Sequence, residues 1–404
     1  MKTTKVRIYY PFFPYPPTEG SFHIAYEQVR AMSELGFQVE LVFWKDGPDE
    51  MSAKLAQAYL DPFPENVARI ILPGSKTEQV SDRIIRVGKS LFSSLSSPEI
   101  LYYPPNLNPI FKEPVDLAIY NYGFAYSWLR RVHGREHRKV VVLHNLESDL
   151  FEERALECQN LLTSWIHFKN AKKLRAHELE LSNLADELWF ISPEDQIRFE
   201  RRGRSRFTRL VTPGFSKNFH QRRLNHFTKM PKKSGLVLGL IGSLDFLPNE
   251  VGAIWVLENL APRLKDRGFQ GELKIVGKGA SEKVKRLAQE YPFVKLTGFL
   301  PDLEEFWASL NFSLVPHLMG SGVRMKLLES LASGIPTLAT PGAVVRIHPG
   351  LRQSELLLSS DSPDEWCDRI MRPDSGQVRG NLAGLPLPWD LDSKHIYSFM
   401  NEFN

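Results

Sequence analysis

Cysteine is nearly absent. The 404 residues include two, Cys158 and Cys367, far apart and neither in a CxxC pair. That excludes a disulfide framework or a cysteine-held zinc as the basis of the fold, and a reducing, cytoplasmic setting is expected. Long hydrophobic runs are missing too. No apolar stretch reaches the roughly 18 residues that a membrane-spanning helix needs. The basic start, MKTTKVRIYYPFFPYPPTEG, is interrupted by prolines before an apolar segment can form, so no signal peptide is expected. Charge of one sign is not in large excess either: Lys+Arg 51 against Asp+Glu 47 gives +4, too little for a general nucleic-acid field. Neither a GxSxG elbow nor a P-loop occurs, and His220 and His226 sit in a basic loop without carboxylates to make a metal site.

What is present is a folded chain. Apolar residues make up 42% and charged residues 24%, which suits a globular protein with room for two domains. The first segments read as a βαβ opening: a strand in VRIYYPF, a turn in PYPPTEGS, a helix from about His23 to Leu35, Gly36 as its stop, and a strand in FQVELVFW. Strands follow in VDLAIYNY and KVVVLHN, then a long charged helical stretch from Ser148 to Leu184, then strands in ADELWFIS and RLVTPGF. The second half alternates more cleanly, with strands in LVLGLIGSL, ELKIVGKG, VKLTGFL, FSLVPHL and IPTLAT. Strands alternating with helices point to parallel sheets covered on both faces, with ligands at the carboxyl ends of the strands. The polar, basic NHFTKMPKKSG reads as a linker between two doubly wound α/β domains. Positive charge gathers between Arg198 and Lys233, in RFERRGRSRFTR and KMPKK. Such a patch suits solvent, an anionic lipid surface or nucleic acid. Two phenylalanines at that spacing do not make a nucleic-acid platform, so no nucleic acid is expected.

The stretch with the most chemistry is GSGVRMKLLESLASGIPTLAT, from Gly320 to Thr340. A glycine loop after a strand leads to a helix expected to start near Gly322 or Val323. A helix N-terminus offers unpaired N–H groups and partial positive charge to a phosphate. Arg324 and Lys326 can add formal charge, and Glu329, two turns along, can accept from two vicinal hydroxyls. An amphipathic core helix with solvated charges fits the same spacing. His144 closes an apolar strand, where it either faces a ligand or sits as a satisfied core histidine. Glu147 and Ser148 are expected to cap the helix that follows.

GSGVRMKLLESLASGIPTLAT resembles the signature helix of the retaining GT-B glycosyltransferases, in particular the GT4-type family. PYPPTEGS, VVLHNLES, FISPEDQ, IGSLDFLPN, LKIVGKG and LTGFLPDLEEFWASLNFSLVP follow the family in order, so the resemblance covers nearly the whole chain. It implies two Rossmann-like domains facing each other across a cleft, with a nucleotide-sugar, UDP- or GDP-linked, as donor substrate and no metal required. The expected division is 1–225 on the acceptor side, 226–385 for the donor, and a C-terminal helix at 386–404 returning to the first domain.

By this resemblance Glu329 is the second glutamate of a Glu-x7-Glu motif and holds the donor ribose. Ser321 stands where the first glutamate belongs, so the sugar-contacting carboxylate is replaced by a hydroxyl. Gly242, Ser243, Gly298, Phe299, Gly322 and Val323 are carried over as donor contacts. His144 is carried over as the histidine touching sugar and phosphate. Gly20 corresponds to a flexible glycine loop, with Thr18 and Glu19 beside it. The family's basic pair after IGSLDFLPN is missing, which leaves Arg324 and Lys326 to carry the charge and Lys278 as the next candidate. The acceptor implied is a glycan, a lipid-linked glycan or a protein, with peripheral contact at the inner membrane face through the 198–233 region. Two alternatives share the fold: a sugar-nucleotide epimerase, and a binding protein that has lost turnover.

Overall fold

The structure, a computed structural model, describes residues 4–12, 14, 20–44, 65–71, 80–102, 114–129, 137–203, 207–215, 235–300, 303–320 and 322–372. The described residues divide after Pro213 into two compact units. The expected boundary at 225/226 and the C-terminal helix at 386–404 lie outside the described residues, as do Thr18, Glu19 and Ser321.

The first unit runs β1 (Lys5–Tyr9), α1 (Gly20–Glu34), β2 (Gln38–Phe43), β3 (Val67–Ile71), α2 (Val80–Phe92), α3 (Ser97–Leu101), β4 (Leu117–Asn121), β5 (Lys139–Leu143), α4 (Glu147–Glu157), α5 (Leu161–Leu184), β6 (Glu187–Phe190), α6 (Pro193–Arg202) and β7 (Thr208–Leu210). Its strands form one parallel sheet in the order β3-β2-β1-β4-β5-β6-β7. Helices on both faces leave no solvated side, which is why β4 (LAIYN) is buried at every position. Gly36, at φ +82, ends α1 in the left-handed conformation expected of it. The long helical stretch proves to be two helices, broken at Cys158–Asn160, where Asn160 caps α5 through Thr163.

The second unit runs β8 (Val237–Ile241), α7 (Leu247–Trp255), α8 (Ala261–Asp266), β9 (Glu272–Val276), α9 (Glu282–Gln289), β10 (Val294–Gly298), α10 (Glu304–Ser309), β11 (Phe312–Val315), α11 (Met325–Ala332), β12 (Thr337–Ala339), α12 (Pro341–Val344), β13 (Leu357–Ser359) and α13 (Pro363–Ile370). Its parallel sheet has the order β10-β9-β8-β11-β12-β13. Leu238, Leu240, Leu273, Ile275, Phe312 and Leu314 put the sheet into one apolar core.

In each sheet the strand order reverses at one place, between β1 and β4 in the first and between β8 and β11 in the second. At such a point neighbouring crossovers leave on opposite faces and open a crevice beyond the strand ends. Tyr10, Asn121 and Tyr122 lie at the first reversal, and Gly242, Ser243 and the 316–320 loop at the second.

Candidate active site

In the second unit, three glycines bring strand ends together. Gly242, after β8, has φ +155, and Gly277, after β9, has φ +152. The Gly242 N–H donates to the Val276 carbonyl and the Gly277 N–H to the Gly298 carbonyl, each at 2.9 Å. A Cβ on Gly277 would stand 1.9 Å from the Gly242 carbonyl oxygen, so only glycine permits this approach. Gly298, at φ +72, ends β10, and Phe299 beyond it is 42% exposed.

Into this cradle comes Lys326 from α11. A Cβ on Gly242 would lie 2.6 Å from Lys326 Nζ. The ammonium donates to Asn249 Oδ1 at 2.8 Å, and Asn249 Nδ2 donates to the Ser243 carbonyl at 2.9 Å. Burial, with Arg324 second, pulls the Lys326 ammonium down to about 7.

The helix starts later than expected. Gly320 (φ +94) and Gly322 (φ +79) hold left-handed conformations that a right-handed helix cannot contain. Arg324 is therefore the N-cap and Met325 the first helical residue, which puts Glu329 one turn in rather than two. Val323 packs against a core cluster with Leu327 and Leu331. Beside the loop, His317 Nε2 donates to the Gly320 carbonyl at 3.1 Å. Burial, then Arg324 and Arg346, push the His317 imidazole down to about 2, so it stays neutral. Three basic side chains, Arg324, Arg346 and Lys326, thus act on one neutral ring.

Arg346 and Asn249 were not among the expected site residues. Asn249 had a signal, the polar tip of IGSLDFLPN; Arg346, after β12 and α12, had none within its own segment. Lys278 is exposed, though its carbonyl accepts from the Leu244 N–H at 2.7 Å.

In the first unit, His144 directly follows β5 and is 3% exposed. Burial lowers its imidazole to about 3, so the ring is neutral at physiological pH. Its ring lies against Tyr122, centroids 4.3 Å apart and planes tilted by 30°, and its Nε2 lies 2.8 Å from Asn121 Oδ1. Gly20 is the first residue of α1 and not part of a loop. Glu147 and Ser148 do not cap α4 either. Leu146 is the N-cap, and Glu178 of α5 takes the Ser148 N–H at 3.0 Å and its hydroxyl at 2.5 Å. Glu178 is buried enough that its carboxyl rises to about 8. Its place on the face shared with Leu174 and Leu181 was the available signal.

Among the described residues, no group of three or more His, Cys, Asp or Glu is placed to hold a metal ion, and no helix is long and apolar enough to cross a membrane.

Two doubly wound parallel sheets, the second with glycines at its strand ends, make the GT-B fold. Residues 235–372, about a third of the chain, match the family described as Glycosyl transferases group 1. Solved structures agree on the fold. Alr3699/HepE from Anabaena, in complex with UDP and glucose, superposes with a TM-score of 0.60 at 14% identity, over 98% of this chain and 99% of that one. TarM gives 0.65 at 10% identity, over 100% and 99%. WaaG, a glycosyltransferase involved in lipopolysaccharide biosynthesis, gives 0.57 at 15%, over 98% of each chain. No curated protein sequence matches the chain.

Proposed function

We propose that this protein transfers a sugar from a nucleoside-diphosphate sugar to a hydroxyl of a glycan, lipid-linked glycan or protein, with retention at the anomeric carbon. The observation that carries the reading is Lys326: a half-buried ammonium held beside the Gly242 strand end, with Arg324 at the start of the same helix, inside the segment that matches the family. A diphosphate is the ligand such a place suits. The glycines let its oxygens approach the backbone, and the α11 N-terminus and the two side chains balance its charge.

In the reaction, the bond from the anomeric carbon to the diphosphate oxygen breaks and a bond to the acceptor oxygen forms on the same face. The acceptor proton passes to the departing phosphate. Charge builds on the leaving group, and Arg324 and Lys326 stabilise it without a metal. Glu329 holds the ribose hydroxyls, Ser321 and His144 meet the transferred sugar, Gly298 and Phe299 border the nucleotide, and the Gly20 N–H is offered at the start of α1. UDP, present with glucose in the Anabaena structure, makes a UDP-sugar the first donor to try, and a GDP-sugar the second.

Peripheral membrane contact through residues 198–233 belongs to the same proposal. Within that region Arg198 and Arg202 pair with Asp149, and Arg209 with Glu187, so attraction to lipid rests on the other basic residues.

The test is a panel of nucleotide-sugars with acceptor mixtures, followed by release of the nucleoside diphosphate. Release with a new glycoside of unchanged anomeric configuration supports the proposal. Conversion of the sugar without net release favours an epimerase, and binding without change favours a protein that has lost turnover.

A further inference from the structure

Asn121 ends β4 with no exposed surface, and its partners fix which way its amide points. Nδ2 donates to the Tyr9 carbonyl at 3.2 Å, so the atom facing His144 is the oxygen. That oxygen is 2.8 Å from His144 Nε2. An amide oxygen can only accept, so Nε2 carries the hydrogen. In a neutral imidazole the other nitrogen, Nδ1, is then a bare acceptor. Nδ1 is buried and has no hydrogen-bond partner among the described residues. A buried acceptor of this kind calls for a water or a ligand.

The ring is not free to exchange its nitrogens. Tyr122 packs tilted against it at 4.3 Å, Tyr10 stacks at 6.4 Å, and the two tyrosine hydroxyls meet at 3.2 Å. Tyr122 also holds a left-handed backbone, φ +76, which an aromatic residue rarely adopts, and its N–H is tied to the Val142 carbonyl at 2.8 Å. That bond pins the end of β4 to β5 beside His144.

We propose that Asn121 is a positioning residue that locks His144 as the Nε2–H tautomer, leaving Nδ1 to accept a hydrogen bond from a hydroxyl of the bound sugar. This rests on the sugar-transfer reading and narrows it. With its only hydrogen held by Asn121, His144 recognises a hydroxyl and does not donate to a phosphate.

Two measurements test it. Nitrogen-15 NMR of histidine-labelled protein, with His144→Gln used to assign the signal, reports the tautomer without any substrate. Nε2–H is expected in the parent, with a mixture of tautomers in Asn121→Ala. Asn121→Asp, of the same shape, should make His144 protonate at higher pH, because a carboxylate stabilises the imidazolium. The second measurement uses donors lacking one sugar hydroxyl at a time. One of them should lose about tenfold in kcat/KM with the parent, and far less with His144→Ala, the range of a single hydrogen bond. Nδ1–H in the parent, an unchanged tautomer in folded Asn121→Ala, or no deoxy donor whose penalty depends on His144 would each overturn the proposal. If no donor is turned over, the sugar-transfer reading fails, and with it the role of Nδ1; the tautomer lock is then judged by NMR alone.

Discussion

Lys326 and Asn249 lie 77 residues apart in sequence and meet at 2.8 Å, the ammonium donating to the side-chain oxygen. Asn249 in turn donates to the Ser243 carbonyl, so a residue of the helix after β11 is fixed against the loop after β8. The link spans the place where the strand order reverses and brings a basic side chain from a helix to the strand ends.

Gly242→Ala should therefore displace the lysine and also strain the backbone, whose φ of +155 an alanine rarely adopts. Its Cβ would stand 2.6 Å from Lys326 Nζ and 2.7 Å from the Asn249 side chain, so the ammonium has to move. Affinity for a nucleoside diphosphate should fall about tenfold, roughly 1.4 kcal/mol. Affinity for the nucleoside alone should hold. Calorimetric titration of both ligands checks this, and equal losses for the two would mean a collapsed pocket and not a displaced lysine.

The Lys326 ammonium gives a pH signature. Burial and Arg324 hold it near 7 in the free protein, well below the 10.5 of a free lysine. Between those values the unfolded chain keeps a proton that the folded one has lost, so this group makes stability rise with pH across that window. A bound diphosphate restores the ammonium. Binding at about pH 8 should thus take up a proton, seen as a dependence of binding heat on the ionisation heat of the buffer. Lys326→Arg, which stays charged, should bind without uptake. No buffer dependence in the parent would place the diphosphate away from Lys326.

Much of the second unit could be read from the sequence, because strands buried on both faces appear as unbroken apolar runs such as LVLGLI. What could not be read is mostly non-local. β3 (VARII) and β13 (LLS) are short edge strands whose place comes from pairing with β2 and β12. The start of α11 was misplaced because loop glycines and helix residues follow one another without a cap signal; the positive φ of Gly320 and Gly322 decides it. The charges of Arg324 and Lys326 were legible as residue types. The meeting of Lys326 with Asn249, and Arg346 near His317, needed the folded chain.

Glu178 supplies a stability prediction of opposite sign. Its carboxyl is raised by burial to about 8, so between the ordinary glutamate value of 4.5 and 8 the folded chain holds a proton that the unfolded one loses. Its contribution is complete below the lower value and is lost as pH rises through the upper. Glu178→Gln keeps an acceptor for the Ser148 N–H and removes the titration. Denaturant melts at pH 5 and pH 8 should show the parent losing more stability than the variant. Parallel losses would mean that Glu178 is ionised in the fold.

The last prediction separates the three polar side chains around α11. Glu329, one turn into the helix, is proposed to accept from the ribose, which nucleoside and diphosphate both possess. Glu329→Ala should weaken both ligands alike, by about 1.5–3 kcal/mol for a hydrogen bond to a charged group. Arg324 and Lys326 are proposed to act on the diphosphate, whose charge grows as it leaves. Arg324→Ala and Lys326→Ala should each lower turnover about tenfold or more, on the order of 1.4 kcal/mol, and leave nucleoside binding nearly unchanged. Affinities for nucleoside, monophosphate and diphosphate, measured beside turnover, sort the roles. If the two cationic variants bind the diphosphate and turn over as the parent does, the compensating charge comes from another side chain. Arg346, buried near the same His317 ring, would be the first to replace.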